Sequence, residues 1–326
     1  MSVEWQEILR AAWAELSRHP ARTRQFRTQR LSPTLELGAY AALRAPDESP
    51  CLLIEAGVPP ASLFEVGGMR LNTYPGDNGP LLVLTLEDAG RADLFATVCA
   101  DAVAAAANAP SDEALPQFLA RLDAWRRFLR ERRAGLTRNE TVGLLGELLL
   151  LERLVQADGS MLSTWTSPDD GLHDFLVRGQ ALEVKTSLGA ASAIRISTLD
   201  QLDPSGLRRL DLVHVRLVET PDGRSLGHVI ATVERVLPDE SARRAFANAL
   251  LRRGLMPDDL AARSAPLVDV RAFSAYAVGQ NFPKLVRTTV PAAVQDAEYS
   301  LELRAIDAYA IDFEAVATEF TRGRAA

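Results

Sequence analysis

The stretch DFLVR-GQ-ALEVK, Asp174 to Lys185, constrains this chain more than any other. Two runs of alternating character around a glycine turn can form a β-hairpin and little else. A two-residue turn at Gly179-Gln180 pairs Arg178 with Ala181, Val177 with Leu182, Leu176 with Glu183, Phe175 with Val184 and Asp174 with Lys185. Successive side chains point to opposite faces, so Phe175, Val177, Leu182 and Val184 line one face. Asp174, Glu183 and Lys185 share the other, with Leu176 between them. A slip of one residue would mix the faces, and the clean apolar set therefore supports this register.

Composition gives Lys185 added weight. Of 36 basic residues only two are lysines, Lys185 and Lys284. Arginine is a permanently charged fork, whereas lysine is a compact charge that can take part in proton transfer. Lys284 follows Pro283 and does not repeat the acid-x-Lys pattern.

The length of 326 residues suggests two domains, and 47% hydrophobic with 24% charged residues is an ordinary globular balance. No apolar run has membrane-spanning length. The start, MSVEWQEILRAAWAEL, lacks a basic-then-apolar leader, so a cytoplasmic protein with no membrane partner is expected. Two cysteines exclude a disulfide scaffold and a thiolate metal cluster. A net charge of −7 removes any global attraction to nucleic acid, so binding to phosphates needs a local basic patch.

The spacing predicts an N-terminal α/β domain over 1–112 and a second domain over 113–326, whose core spans about 137–236 and whose C-terminal part is a β-containing extension. In the first, a helix over 3–17 precedes strands near Leu35–Leu43, Cys51–Glu55 and Leu81–Leu86, then an Ala-rich helix over 92–107. Residues 108–116 read as a connector. A helix over 117–133 carries Arg126, Arg130 and Arg133 on one face, either a solvated face with internal ion pairs or a ridge that contacts phosphates. Thr137-Arg138-Asn139-Glu140 has capping-box spacing and opens a helix to about Gln156. After the hairpin come a strand near Ile194–Ser197, a short helix from Thr198, strands over Leu212–Val218 and Leu226–Val236, a helix over 239–254, and strands at Ala275–Val278 and Tyr299–Ala305.

Carboxylate oxygens suit hard divalent cations such as Mg²⁺. Asp174 and Glu183 could hold one, which would polarise a phosphodiester, while Lys185 positions water or stabilises charge. Glu147 lies among leucines on its helix, and an unpaired buried carboxylate costs several kcal/mol, so it needs a partner. That partner is an arginine, or the metal site itself. A solvent-facing hairpin edge with Asp174 and Lys185 as an ion pair is the plain alternative.

A helix bearing Gly146-Glu147-Leu148, then Asp174-Phe175, Glu183-Val184-Lys185-Thr186 and the run Ser197 to Leu202 together resemble the PD-(D/E)XK nuclease superfamily. More closely the chain resembles the "PD-(D/E)XK motif protein" family of bacterial phage-defence clusters, most specifically over residues 137–218. The resemblance implies a restriction-endonuclease-like core, a mixed sheet flanked by helices, and Mg²⁺-dependent hydrolysis of nucleic acid, DNA before RNA, with Mn²⁺ as a substitute ion. It implies Asp174, Glu183 and Glu147 as metal ligands, Lys185 as the catalytic lysine and Gln201 as a further site residue. Gln201 also stands at capping-box spacing from Thr198. Other defence subunits or a second copy are implied partners. The literal Pro168-Asp169 pair precedes the hairpin. Asp169 or Asp170 replaces Asp174 if the strand pairing is shifted.

Two other functions stay open: a non-catalytic or conditionally active subunit that docks nucleic acid or a partner, and a small-molecule hydrolase using the carboxylate pair. His19, His173, His214 and His228 show no paired ligand spacing. His214 shares a strand face with Arg216, but a structural role is the expectation.

Overall fold

The computed structural model describes residues 2–18, 25–56, 63–76, 79–130, 136–169, 171–257 and 259–325. The chain divides into two compact units, Met1–Arg133 and Ala134–Ala326.

In the first unit, α1 (Ser2–Arg18) is followed by β1 (Phe26–Arg30), β2 (Ala39–Arg44), β3 (Ser49–Glu55), β4 (Phe64–Val66), β5 (Met69–Gly76) and β6 (Gly79–Leu86). These strands form an antiparallel sheet in the order β1-β2-β3-β6-β5-β4. Trp13 of α1 donates its indole N–H to the Cys51 carbonyl at 2.9 Å, so its large apolar ring is buried without stranding its donor. Next come α2 (Ala92–Ala106) and α3 (Ser111–Arg130). α3 begins inside the expected connector, Pro116 included. It belongs to the first unit, beyond the expected boundary at 112. Buried Asp101 of α2 explains the attachment. It accepts from Arg121 Nε and from Trp125 Nε1, both at 2.6 Å. On the outer ridge, Arg126 and Arg127 share Asp123. Arg130 is exposed, and Arg133 lies outside the described residues.

The second unit opens with α4 (Arg138–Ala157), capped by the expected reciprocal bonds between Thr137 and Glu140. It continues with β7 (Phe175–Val177), β8 (Gln180–Leu188), β9 (Ala193–Ile196), β10 (Arg209–Arg224), α5 (Leu226–Val236), α6 (Glu240–Arg252), α7 (Leu260–Ser264), β11 (Val268–Ala277), β12 (Tyr299–Glu302), α8 (Leu303–Ile306), β13 (Ala310–Ile311) and α9 (Phe313–Ala325). The main sheet has the order β13-β11-β10-β8-β7. It is mixed: β8 and β10 run parallel, and the other pairs are antiparallel. The ribbon β9–β12 stands apart from it.

Three expectations change here. Residues 226–236 are helical, because Leu226, Val229, Ile230 and Val233 repeat at helical spacing and Ser225 caps the first turn; their β-branched content suggested a strand. No helix starts at Thr198, where the chain runs through bends. Tyr299–Ala305 is strand only to Glu302 and then turns into α8.

One sheet face is apolar. Phe175, Val177, Leu182, Val184, Val213 and Val215 pack there with leucines of α4 and with α5, α6 and α9. α4 crosses β8 very closely at Gly146, where an added Cβ would fall 1.8 Å from Thr186 Oγ1. Gly146 is therefore the contact that lets the Glu147 helix sit on the hairpin. Gly146→Ala should lower stability by about 1–3 kcal/mol through overpacking. In thermal or urea unfolding, the added Thr186→Ala substitution should recover part of the loss.

Candidate active site

The hairpin forms, with its register displaced by two residues from expectation. The pairs are Phe175↔Leu182, Leu176↔Ala181 and Val177↔Gln180, so the turn is Arg178-Gly179. Both turn residues have positive φ, 43° and 80°, the signature of a type I′ turn whose twist matches the strands. The Gly179 carbonyl accepts the N–H groups of Arg208 and Arg209, which pins the turn. An even displacement leaves every side chain on its expected face. It changes only who faces whom: continuing the register sets Asp174 opposite Glu183 rather than Lys185.

Asp174 is held at the mouth of β7 from both sides. Its backbone carbonyl accepts from the N–H groups of Thr166 and Ser167, and its Oδ2 accepts from Val184 N–H at 2.7 Å. Glu183 is only 2% exposed. Lys185 Nζ lies 2.8 Å from Glu183 Oε1 and donates to Gln201 Oε1 at 3.2 Å. That same Gln201 oxygen accepts Ser197 N–H at 2.8 Å. Gln201 is therefore not a helix cap. It ties the end of β9 to the lysine.

Glu147, 5% exposed, has both oxygens engaged. Arg253 Nη2 donates to Oε1 at 2.5 Å and Trp165 Nε1 to Oε2 at 2.9 Å. The expected third metal ligand is thus satisfied by an arginine and an indole. Among the described residues no three acidic, histidine or cysteine side chains form a metal-holding group. Glu147 still acts on the site through space. Burial, Glu183 and then Glu147 push the Asp174 carboxyl well above its ordinary range, against the opposing pull of Val184 N–H and Lys185.

Two carboxylate oxygens, Asp174 Oδ1 and Glu183 Oε2, have no hydrogen-bond donor among the described residues. Hard carboxylate oxygens without a donor from the described protein, they are a donor set that fits a divalent cation. His173 is the residue that sequence reasoning set aside. It is 5% exposed, its Nδ1 is 3.8 Å from Glu183 Oε2, and neither ring nitrogen has a hydrogen-bond partner. Its one signal in the sequence is adjacency to Asp174. Arg253 gave none, being 106 positions from Glu147.

The literal Pro168-Asp169 pair is elsewhere: Asp169 Oδ1 faces Arg252 Nε at 3.0 Å. Asp170 lies outside the described residues. Lys284 also has a plain role, with Nζ donating to the Gly279 carbonyl at 2.6 Å.

A family model described as "Putative PD-(D/E)XK family member, (DUF4420)" matches residues 9–304. The chain belongs to this family. The fold is accordingly restriction-endonuclease-like, a mixed sheet flanked by helices. No curated protein and no solved structure matches the chain. The PD-(D/E)XK match takes in the first unit as well as the second, a wider span than residues 137–218.

Two outcomes follow from these electrostatics. Arg253→Met strands a buried carboxylate with one neutral donor and should cost about 2 kcal/mol in denaturant unfolding. Adding Glu147→Gln should recover much of that loss. An acid whose folded pKa is raised is destabilising once pH climbs above its unfolded value near 3.8. Asp174→Asn should therefore melt higher than the parent at neutral pH, and the gap should close as pH falls towards 4.

Proposed function

We propose that this protein is a metal-dependent nuclease whose site is Asp174, Glu183 and Lys185. The observation that carries the proposal is the cross-strand carboxylate pair with two unsatisfied oxygens and a lysine ion-paired to one of its members. The family, whose wider superfamily consists largely of nucleases, supports the same chemistry.

Asp174 and Glu183 would hold the cation, with Mg²⁺ the first candidate. Such an ion polarises a phosphodiester and lowers the pKa of a bound water. Lys185, steered by Glu183 and Gln201, sets a positive charge where negative charge builds up on the phosphate oxygens. Glu147 adds negative potential at Asp174, which favours an incoming cation, while Arg253 and Trp165 keep that glutamate in place. Hydrolysis of DNA in bacterial anti-phage defence, in the cytoplasm and alongside further subunits, is the setting that the resemblance implies.

Purified protein with Mg²⁺ should cleave DNA, and Asp174→Ala or Lys185→Ala should reduce the rate by about 10²-fold or more. Calorimetric titration should find a Mg²⁺ site in the parent and in Lys185→Ala, and none in Asp174→Ala. Cleavage equal in parent and variants would overturn the nuclease. A chain that binds no divalent cation would instead be a docking subunit.

A further inference from the structure

Register partners across a sheet point to the same side. Lys185 is paired with His214, and His214 with Ser274; Ser187 is paired with Arg216, and Leu212 with Tyr276. The face that carries Glu183 and Lys185 thus continues onto β10 and β11. There it opens into a cleft of about 570 Å³, closed on the far side by α8 and Asp307.

The floor of the cleft is polar and carries no charge of its own. His214 is 4% exposed, and its Nε2 lies 2.8 Å from Ser187 Oγ. Burial and the Arg216 charge push its pKa down to about 4. Burial and then Asp307 raise the pKa of the Tyr276 hydroxyl, against the opposing influence of Ser274 and Arg216. Arg216 and Arg304 line it as well-exposed side chains, and neither makes an ion pair among the described residues. Glu302 and Asp307 share the rim, so the cleft does not suit a polyphosphate. Two arginines suit one singly charged phosphodiester, and the two acids suit the donor groups of a sugar or base.

From strand spacing and rise, the Arg216 Cα is about 8 Å from that of Lys185 and about 14 Å from that of Glu183, of the order of two nucleotide steps from the carboxylate pair. We propose that Arg216 and Arg304 hold a second phosphate of the nucleic-acid strand whose scissile phosphate lies over Asp174 and Glu183. This rests on the nuclease reading above and names how the substrate strand is gripped.

The test separates binding from cleavage. Anisotropy of a short fluorescein-labelled DNA duplex is measured in EDTA across a salt series. Arg216→Ala/Arg304→Ala should weaken binding at least tenfold at low salt and reduce the log–log salt slope by about 0.9, one phosphate contact. Arg216→Lys/Arg304→Lys should keep most of the slope. Arg235→Ala, an exposed arginine on α5, should change neither quantity. Bis(p-nitrophenyl) phosphate has one phosphate only, so with Mg²⁺ the alanine pair should lose far less rate on it than on DNA. If the parent cuts DNA but the pair leaves affinity and slope unchanged, the cleft assignment falls. If affinity depends on the pair while nothing is cut, the nuclease falls and the phosphate grip stands.

Discussion

Two carboxylates held face to face on a β-ribbon repel one another, and the surroundings of Asp174 and Glu183 are arranged around that repulsion. Glu183 is neutralised by Lys185. Asp174 receives one backbone N–H and no cation. Its carboxyl is held far above the usual range by burial and by two neighbouring acids. A fold tolerates such a group only where rigid elements leave it no way to relax. Here the pinned turn, the bonds from Thr166 and Ser167, and the tight crossing of α4 at Gly146 supply that rigidity.

Much of this was legible in the sequence, for a specific physical reason. The two faces of a strand depend only on parity, so a pairing error of two residues left Asp174, Glu183 and Lys185 together. What parity cannot give is the opposing residue. That depends on the turn, and Arg178 accepting a positive φ before Gly179 is a weak signal beside a glycine that could open or close the loop. Residues 226–236 failed differently. Val and Ile favour strands, yet the cap at Ser225 and tertiary packing decide for helix. Trp165 and Arg253 reach the site by chain folding alone, and local periodicity carries no trace of that; His173 is there by adjacency to Asp174.

The scarcity of lysine singles out two residues with distinct surroundings, Lys185 beside Glu183 and Lys284, whose ammonium satisfies loop carbonyls. Rarity marks a residue that arginine does not replace, and two distinct jobs meet that description. A compact head with three donors can turn into a cluster of carbonyls, and the same compactness lets it sit between Glu183 and Gln201 where a planar fork would not.

Glu147 shows how a buried acid can serve a site without being a ligand. Its oxygens are fully used by Arg253 and Trp165, so its charge is fixed in position rather than free to coordinate. A fixed charge beside Asp174 raises the cost of ionising that carboxyl and, if the proposed cation binds there, deepens the well for it. On the proposed reading the same interaction is destabilising without the cation and favourable with it. That coupling would tie the stability of the hairpin to cation binding, through binding to the folded state alone.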